Sequence, residues 1–262
     1  MLDKIEAFVF DMDGVFYKGE QKLDGGKELI DFLKEQNIPF IFLTNNSRKI
    51  PKDYVKKLSD LGIVVKENKI ITAGVLAKEY INQYYKNKKI NIFGSKALFE
   101  LFDKRFICED DFDVVLIGME ENLTLDDISK IRSYAAQGKQ LVFTNPDKLI
   151  PIENGYNFEC GAIISLIQSY CKKEPIIVGK PSTFSFEYAI KSLDVEKNKI
   201  AMVGDTYDTD IQGAIDIGIV PIHLQTSSAD YNSTKLKAFE FNNLKEIFEK
   251  LKESKNEVYT LK

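Results

Sequence analysis

Histidine is almost missing from this chain. Only His223 among 262 residues carries an imidazole, so a mechanism built on a histidine base has a single candidate. Cysteine is scarce as well. Cys108, Cys160 and Cys171 are odd in number and form no CxxC pair, which argues against a disulfide framework or a zinc knuckle. That usage fits a reducing, cytoplasmic setting. Arginine is limited to Arg48, Arg105 and Arg132, so each is a candidate for a fixed-geometry anion contact. No apolar run approaches the ~20 residues of a membrane span, and the opening stretch from Met1 to Glu6 is too charged for a signal h-region. A net charge of −4 leaves no footprint for nucleic acid or an anionic membrane. What is present is an ordinary globular composition, 44% apolar and 29% charged, in a length that allows one large domain or two ordinary ones.

The stretch Phe8-Val9-Phe10-Asp11-Met12-Asp13-Gly14-Val15 organises the rest. An apolar, β-prone run ends in two carboxylates at i and i+2, which leave a strand end on the same side. Two like charges held together are unfavourable unless a cation or a proton sits between them. Gly14 lets the chain turn sharply. From there, the pattern predicts a strand at 5–10, a helix at 27–34, a strand at 40–43 ending in Thr44-Asn45-Asn46-Ser47-Arg48, and a helix from Pro51 to Gly62. Strand and helix alternating at this spacing make a βαβ unit and so a parallel sheet. Open α/β sheets bind ligands at the carboxyl ends of their strands, where both polar clusters fall.

The middle of the chain alternates in the same way. Strands are expected at 70–72, 90–93, 114–117 and 140–143, and helices at 73–85, 96–102, 123–136 and 161–170. Thr124 reads as a helix cap with Asp126 and Asp127 in the first turn. Residues 148–158 read as loop. Further on, 176–178 runs into Gly179-Lys180-Pro181-Ser182, and 200–203 is a buried strand ending in Gly204-Asp205-Thr206-Tyr207-Asp208-Thr209-Asp210. Short strands are expected at 220–224 and 239–241, and a last helix at 244–251. No internal repeat is present.

Alone, each cluster has a plain structural reading: a solvated turn for Asp11 and Asp13, a helix cap for Thr44, Asp205 or Asp210, a surface position for Lys180. Order and position distinguish them, because all follow apolar strand patterns. The four pieces Asp11-Met12-Asp13-Gly14-Val15, Leu43-Thr44-Asn45-Asn46-Ser47, Gly179-Lys180-Pro181 and Gly204-Asp205-x4-Asp210 resemble the four motifs of the haloacid dehalogenase (HAD) superfamily. Leu-Thr-Asn-Asn-Ser-Arg at 43–48 and Thr144-Asn145-Pro146-Asp147 look like its type IIA phosphatases, the NagD-like and 4-nitrophenyl-phosphatase-like enzymes. The likeness spans essentially the whole chain.

The resemblance implies a doubly wound parallel α/β core of the Rossmann-like kind, residues 1–77 plus 178–262, with a smaller α/β cap inserted at 78–177. It implies Mg²⁺-dependent hydrolysis of small phosphate monoesters. Asp11 would be the nucleophile and Asp13 the general acid and base. The metal would take the side chains of Asp11 and Asp205 and the main-chain carbonyl of Asp13. Thr44, Asn45 through its N–H, and Lys180 would hold phosphoryl oxygens. Asp210 would stand further out, orienting Lys180 or a metal-bound water. Asn46, Arg48, Asn145 and Asp147 are candidate substrate contacts. For Asn145 and Asp147 an Asx turn before Pro146 is an equal alternative, and for Arg48 a surface ion pair. His223 reads as a core-edge residue away from the motifs. The partner expected is a small phosphate ester, with a homodimer through the cap as an analogy.

An acid at position 13 separates this chain from the dehalogenases, which need no proton donor there, and the absence of spans separates it from the ATP-driven pumps. Phosphomutase is a minor alternative. A phosphate- or metal-binding signalling domain of the same fold is the reading from another class, opposed by the complete motif set. A nucleotide-binding Rossmann domain would need a G-x-G-x-x-G after the first strand. Two departures stand out: Thr206 occupies the place of an Arg usual in the fourth motif, and Phe158-Glu159-Cys160-Gly161-Ala162 replaces a Pro-Gly-x-Gly step in the cap.

Overall fold

The computed structural model describes residues 2–118, 120, 123–152, 155–226 and 237–260. The chain divides into two compact units. Met1–Thr44, Tyr54–Ile71 and Thr183–Lys262 form the first, and Asn45–Asp53 with Thr72–Ser182 the second.

The first unit is built on a six-stranded sheet in the order Phe239–Phe241, Val220–Leu224, Ile200–Gly204, Ala7–Phe10, Phe40–Thr44, Ile70–Thr72. The chain fills one side of the central strand Ala7–Phe10 first and the other side later, so the order reverses there. Parallel pairing sets Phe10 level with Val203 on one side and Phe42 on the other. The residues after Phe10 and after Gly204 therefore emerge side by side at the switch point, where doubly wound sheets bind ligands. Every residue of the central strand is fully buried, which is why it reads as an unbroken apolar run. Phe8 and Phe10 point to one face and join Leu29, Ile30, Leu33, Leu244, Ile247 and Leu251 from the helices Gly26–Glu35 and Leu244–Thr260. Phe10, Phe16 and Phe42 pack edge-on or tilted with centroids 5.2–6.1 Å apart. Burying each such ring contributes roughly 2–3 kcal/mol. Val9, on the opposite face, is equally buried, and the helices Thr183–Ile190 and Gln212–Ile217 supply the buried Phe186, Ala189 and Ala214. Phe186 lies so close to Gly213 that an added Cβ would meet its ring at 2.1 Å.

The second unit has its own parallel sheet, Ile176–Ile177, Gln140–Phe143, Val114–Ile117, Ile90–Phe93, and its own core around Val115, Ile117, Ile131, Phe143, Ile163 and Ile167. Thr124 caps the helix Leu125–Gln137 as expected, in a reciprocal box with Asp127. The segment read as loop differs. Leu149–Ile152 pairs antiparallel with Gly155–Phe158, with Pro151 opposite Tyr156. Pro151 and the Asn-Gly step at 154–155 suggest a loop by local chemistry, but a two-stranded ribbon consists only of edges, where proline is tolerated. The small hairpin Tyr17–Lys18 with Gln21–Lys22 was not anticipated, because strands of two residues are too short to show an alternation. No helix among the described residues is long and apolar enough to cross a membrane.

Candidate active site

In the first unit the two central strands deliver their carboxylates to one place. The Asp11 N–H donates to the Val203 carbonyl at 2.9 Å, continuing the ladder one residue beyond the strand. Carboxylate oxygens of Asp11, Asp205 and Asp210 lie within 4.8 Å of one another. Asp210 is fully buried and Asp11 nearly so. At that separation, with an effective dielectric of about 20, each ionised pair costs on the order of 3 kcal/mol. Asp210 was expected to stand further out, yet its carboxylate joins Asp11 and Asp205. The Asp13 carboxylate is not among the three; the resemblance gives Asp13 a main-chain ligand role.

The wide turn Tyr207–Ile211, a single turn of π-helix, brings Asp210 back. The Thr206 carbonyl accepts from both Asp210 N–H at 2.9 Å and Ile211 N–H at 3.3 Å. The Thr206 N–H donates to Asp210 Oδ2 at 3.2 Å, and its hydroxyl donates to Asp205 Oδ1 at 3.3 Å. Thr206 thus engages both carboxylates from the position where the branch usually has arginine. Gly14 does more than turn. Its φ is +77°, and a Cβ there would fall 1.9 Å from Asp205 Oδ2. The Gly14 carbonyl also accepts from the Thr226 hydroxyl.

Asp13 is an exposed residue, although protein around the strand end takes water from part of its carboxyl's surroundings. That desolvation, and then the charge of Asp11, push its carboxyl up from 3.8 to about 6, with Lys57 pulling the other way. An acid in that range is partly protonated near neutrality and can give or take a proton. Lys57 is held by the Gly19 carbonyl at 2.9 Å and lies 3.8 Å from the Tyr17 ring centroid. Sequence reasoning missed it, because a lysine in a helix of lysines carries no signal. Thr44 ends its strand buried.

Asn45, Asn46, Arg48, Asn145, Asp147 and Lys180 all fall in the second unit. Asn45 is a hub. Its Oδ1 accepts from Lys180 N–H at 2.7 Å, and its Nδ2 lies 3.0 Å from both the Lys180 carbonyl and Asp147 Oδ2. The expected role was its main-chain N–H; its side chain, in addition, fixes the Lys180 backbone. Gly179 is required at this contact, since a Cβ would meet the Thr144 carbonyl at 2.4 Å and Asn45 Oδ1 at 2.6 Å. Asn145 Nδ2 donates to the Asn45 carbonyl at 3.0 Å, and its Oδ1 accepts Asp147 N–H at 3.1 Å, forming the Asx turn. Asn46 Oδ1 accepts Arg48 N–H at 2.8 Å.

Arg48 Nη2 pairs with Glu159 Oε1 at 2.9 Å, a mostly buried pair rather than a surface one. Glu159, which sequence reasoning met only as part of a divergent loop, is the surprise. Burial raises its carboxyl from 4.5 to about 7, and this outweighs the Arg48 charge. Among the described residues its Oε2 is buried without a hydrogen-bond partner. Burial pushes the neighbouring Cys160 thiol up to about 12, which favours its protonated form.

Carboxylates gathered at the switch point of a doubly wound sheet define a Rossmann-like α/β protein with an acidic site suited to a divalent cation. The haloacid dehalogenase-like hydrolase profile matches residues 8–107, and the HAD-hydrolase-like profile matches residues 177–254. An acid sugar phosphatase of Staphylococcus epidermidis is 34% identical over 88% of this chain and 91% of its own. The structure of a 4-nitrophenylphosphatase from Thermotoga maritima superimposes with a TM-score of 0.86 at 32% identity, covering 95% of this chain and 98% of that one. NagD from E. coli K-12 shares the fold at 23% identity, with a TM-score of 0.80 over 92% of this chain and 98% of that one. The chain belongs to the haloacid dehalogenase-like hydrolases, in the NagD-like, type IIA phosphatase branch. The family works with a divalent metal, and the residues fit one: three hard carboxylate donors from two strand ends, too close to remain uncompensated.

Proposed function

We propose that this phosphatase hydrolyses small phosphate monoesters with Mg²⁺ through an aspartyl-phosphate on Asp11. The observation that carries this reading is the trio Asp11, Asp205 and Asp210, whose carboxylate oxygens gather within 4.8 Å of one another at the strand ends. Bound Mg²⁺, held by the Asp11 and Asp205 side chains and the Asp13 carbonyl, would neutralise charge on the phosphoryl group. An Asp11 oxygen attacks phosphorus as the bond to the ester oxygen breaks. Asp13 gives its proton to that departing oxygen, which leaves as the alcohol. A water then attacks the same phosphorus, Asp13 takes a proton from it, and Asp11 departs as a free carboxylate with inorganic phosphate released. Thr44, the Asn45 N–H and the Lys180 ammonium hold the other phosphoryl oxygens, as the resemblance implies. Residues 78–177 act as a cap that excludes water and reads the leaving group, with Asn46, Arg48, Asn145 and Asp147 as candidate contacts. The acid sugar phosphatases among the relatives favour a sugar phosphate as substrate.

The test is colorimetric. Purified protein with Mg²⁺ should release 4-nitrophenol from 4-nitrophenyl phosphate, stop on adding EDTA and restart with excess Mg²⁺. Asp11→Asn should lose roughly 10³-fold or more in kcat. Undiminished turnover in Asp11→Asn protein would end the proposal, and turnover in EDTA would end its metal part.

A further inference from the structure

The single histidine, read from sequence as remote from the motifs, touches one of them. Parallel pairing sets His223 level with Gly204, directly before Asp205. His223 Nε2 lies 3.2 Å from the Asp205 main-chain carbonyl. A carbonyl only accepts, so Nε2 carries the proton in this contact.

The Asp205 carbonyl and the Thr206 N–H belong to one peptide plane, and the N–H donates to Asp210 Oδ2 at 3.2 Å. The plane is therefore gripped at both edges, by an imidazole on one side and a carboxylate on the other. It cannot rotate without releasing both. This plane joins the backbone of Asp205 to the turn that carries Asp210, two of the three grouped carboxylates.

The imidazole is itself held. The Tyr207 ring stacks on it, with centroids 4.1 Å apart and planes 25° from parallel. Tyr207 donates its hydroxyl to Glu240 Oε1 at 3.0 Å, and Gln225 Nε2 donates to Glu240 Oε2 at 2.6 Å. Glu240 pairs in register with His223 on the next strand. His223 and Tyr207 are both more than nine-tenths buried, so this set of contacts is packed rather than loosely solvated.

We propose that His223 is a positioning residue for the metal site: its Nε2–H fixes the Asp205–Thr206 peptide and so aims the carboxylates of Asp205 and Asp210 together. This rests on the metal-dependent reading above. The ligand class is a divalent cation with hard-oxygen preference, and Mg²⁺ is the probe.

Two substitutions separate the hydrogen bond from packing. His223→Phe keeps a flat ring against Tyr207 and removes the donor. His223→Gln restores an N–H at about the reach of Nε2. Mg²⁺ binding is measured by calorimetry without substrate, and stability of the metal-free proteins by thermal unfolding. His223→Phe should weaken Mg²⁺ roughly tenfold or more and shrink the rise in Tm that Mg²⁺ gives the wild type. His223→Gln should recover most of the affinity. In 4-nitrophenyl phosphate assays the Mg²⁺ concentration for half-activation should rise in His223→Phe, while KM for the ester at saturating Mg²⁺ stays near wild type.

Wild-type affinity in His223→Phe, or a His223→Gln protein no better than His223→Phe, overturns the proposal. Should either substitution prevent folding, Tyr207→Leu, which removes the stacking ring but leaves the donor, must still weaken Mg²⁺ measurably, and unchanged affinity there overturns it. A wild type that hydrolyses the ester but binds Mg²⁺ no better than its variants refutes this inference alone. A wild type that neither hydrolyses nor binds refutes the phosphatase reading with it.

Discussion

The two units present polar clusters of opposite design. In the first, three carboxylates share a space of 4.8 Å, and their mutual repulsion calls for a counter-charge from outside the group. In the second, polar groups satisfy each other: the Asn45 amide binds the Lys180 backbone and Asp147, Asn145 closes a turn, and Arg48 meets Glu159. The first arrangement spends stability to create a binding site. The second uses hydrogen bonds to hold loops, as buried polar groups do when every partner is present. An exception in the second unit is Glu159, a buried carboxyl with one oxygen unpartnered among the described residues.

The contrast can be broken from either side. The largest effect belongs to the acidic cluster. Asp11→Asn should abolish turnover and, in metal-free protein, raise the urea midpoint, because it takes one charge out of the crowded trio without changing its shape; a large stability loss would mean the carboxylate is a structural tie.

Glu159 comes next. Its carboxyl is raised to about 7 from an ordinary 4.5, so its contribution to stability is complete below 4.5 and is lost as pH climbs through 7. The loss between those limits is on the order of 3 kcal/mol. Glu159→Gln should flatten this dependence, and urea unfolding at pH 5 and pH 8 measures it. Equal slopes in variant and wild type would show that Glu159 ionises freely.

Asn45→Ala removes three side-chain hydrogen bonds at once and should cost about 2–3 kcal/mol in the second unit, read as a lower urea midpoint. A neutral result would turn the amide hub into ornament. The smallest effect lies outside both clusters: Thr124→Ala opens the capping box and should cost about 1 kcal/mol, with no change in KM.

Much of the core was legible because its signals are local. Each central strand is buried on both faces, so it reads as an apolar run, and the polar residues that follow it read as a strand end. Asp11, Asp13, Thr44 and Asp205 were found that way. Thr124 was found through cap chemistry. Other features had no local trace. Lys57 is one lysine among many, and the Glu159 carboxyl is raised from its ordinary value chiefly by burial. His223 reads as part of a hydrophobic strand, and its link to Asp205 depends on which strand pairs with which.

The sequence by itself determined the class of fold, the order of the strands that carry carboxylates and the family of chemistry, since spacing and apolar periodicity are written residue by residue. Only the tertiary structure decided that Asp210 shares the space of Asp11 and Asp205, that Gly14 must lack a side chain because Asp205 fills its place, and that the lone imidazole grips the peptide after Asp205. Those facts depend on register between strands far apart in the chain, and register is fixed by the packing of whole sheets rather than by any short run of residues.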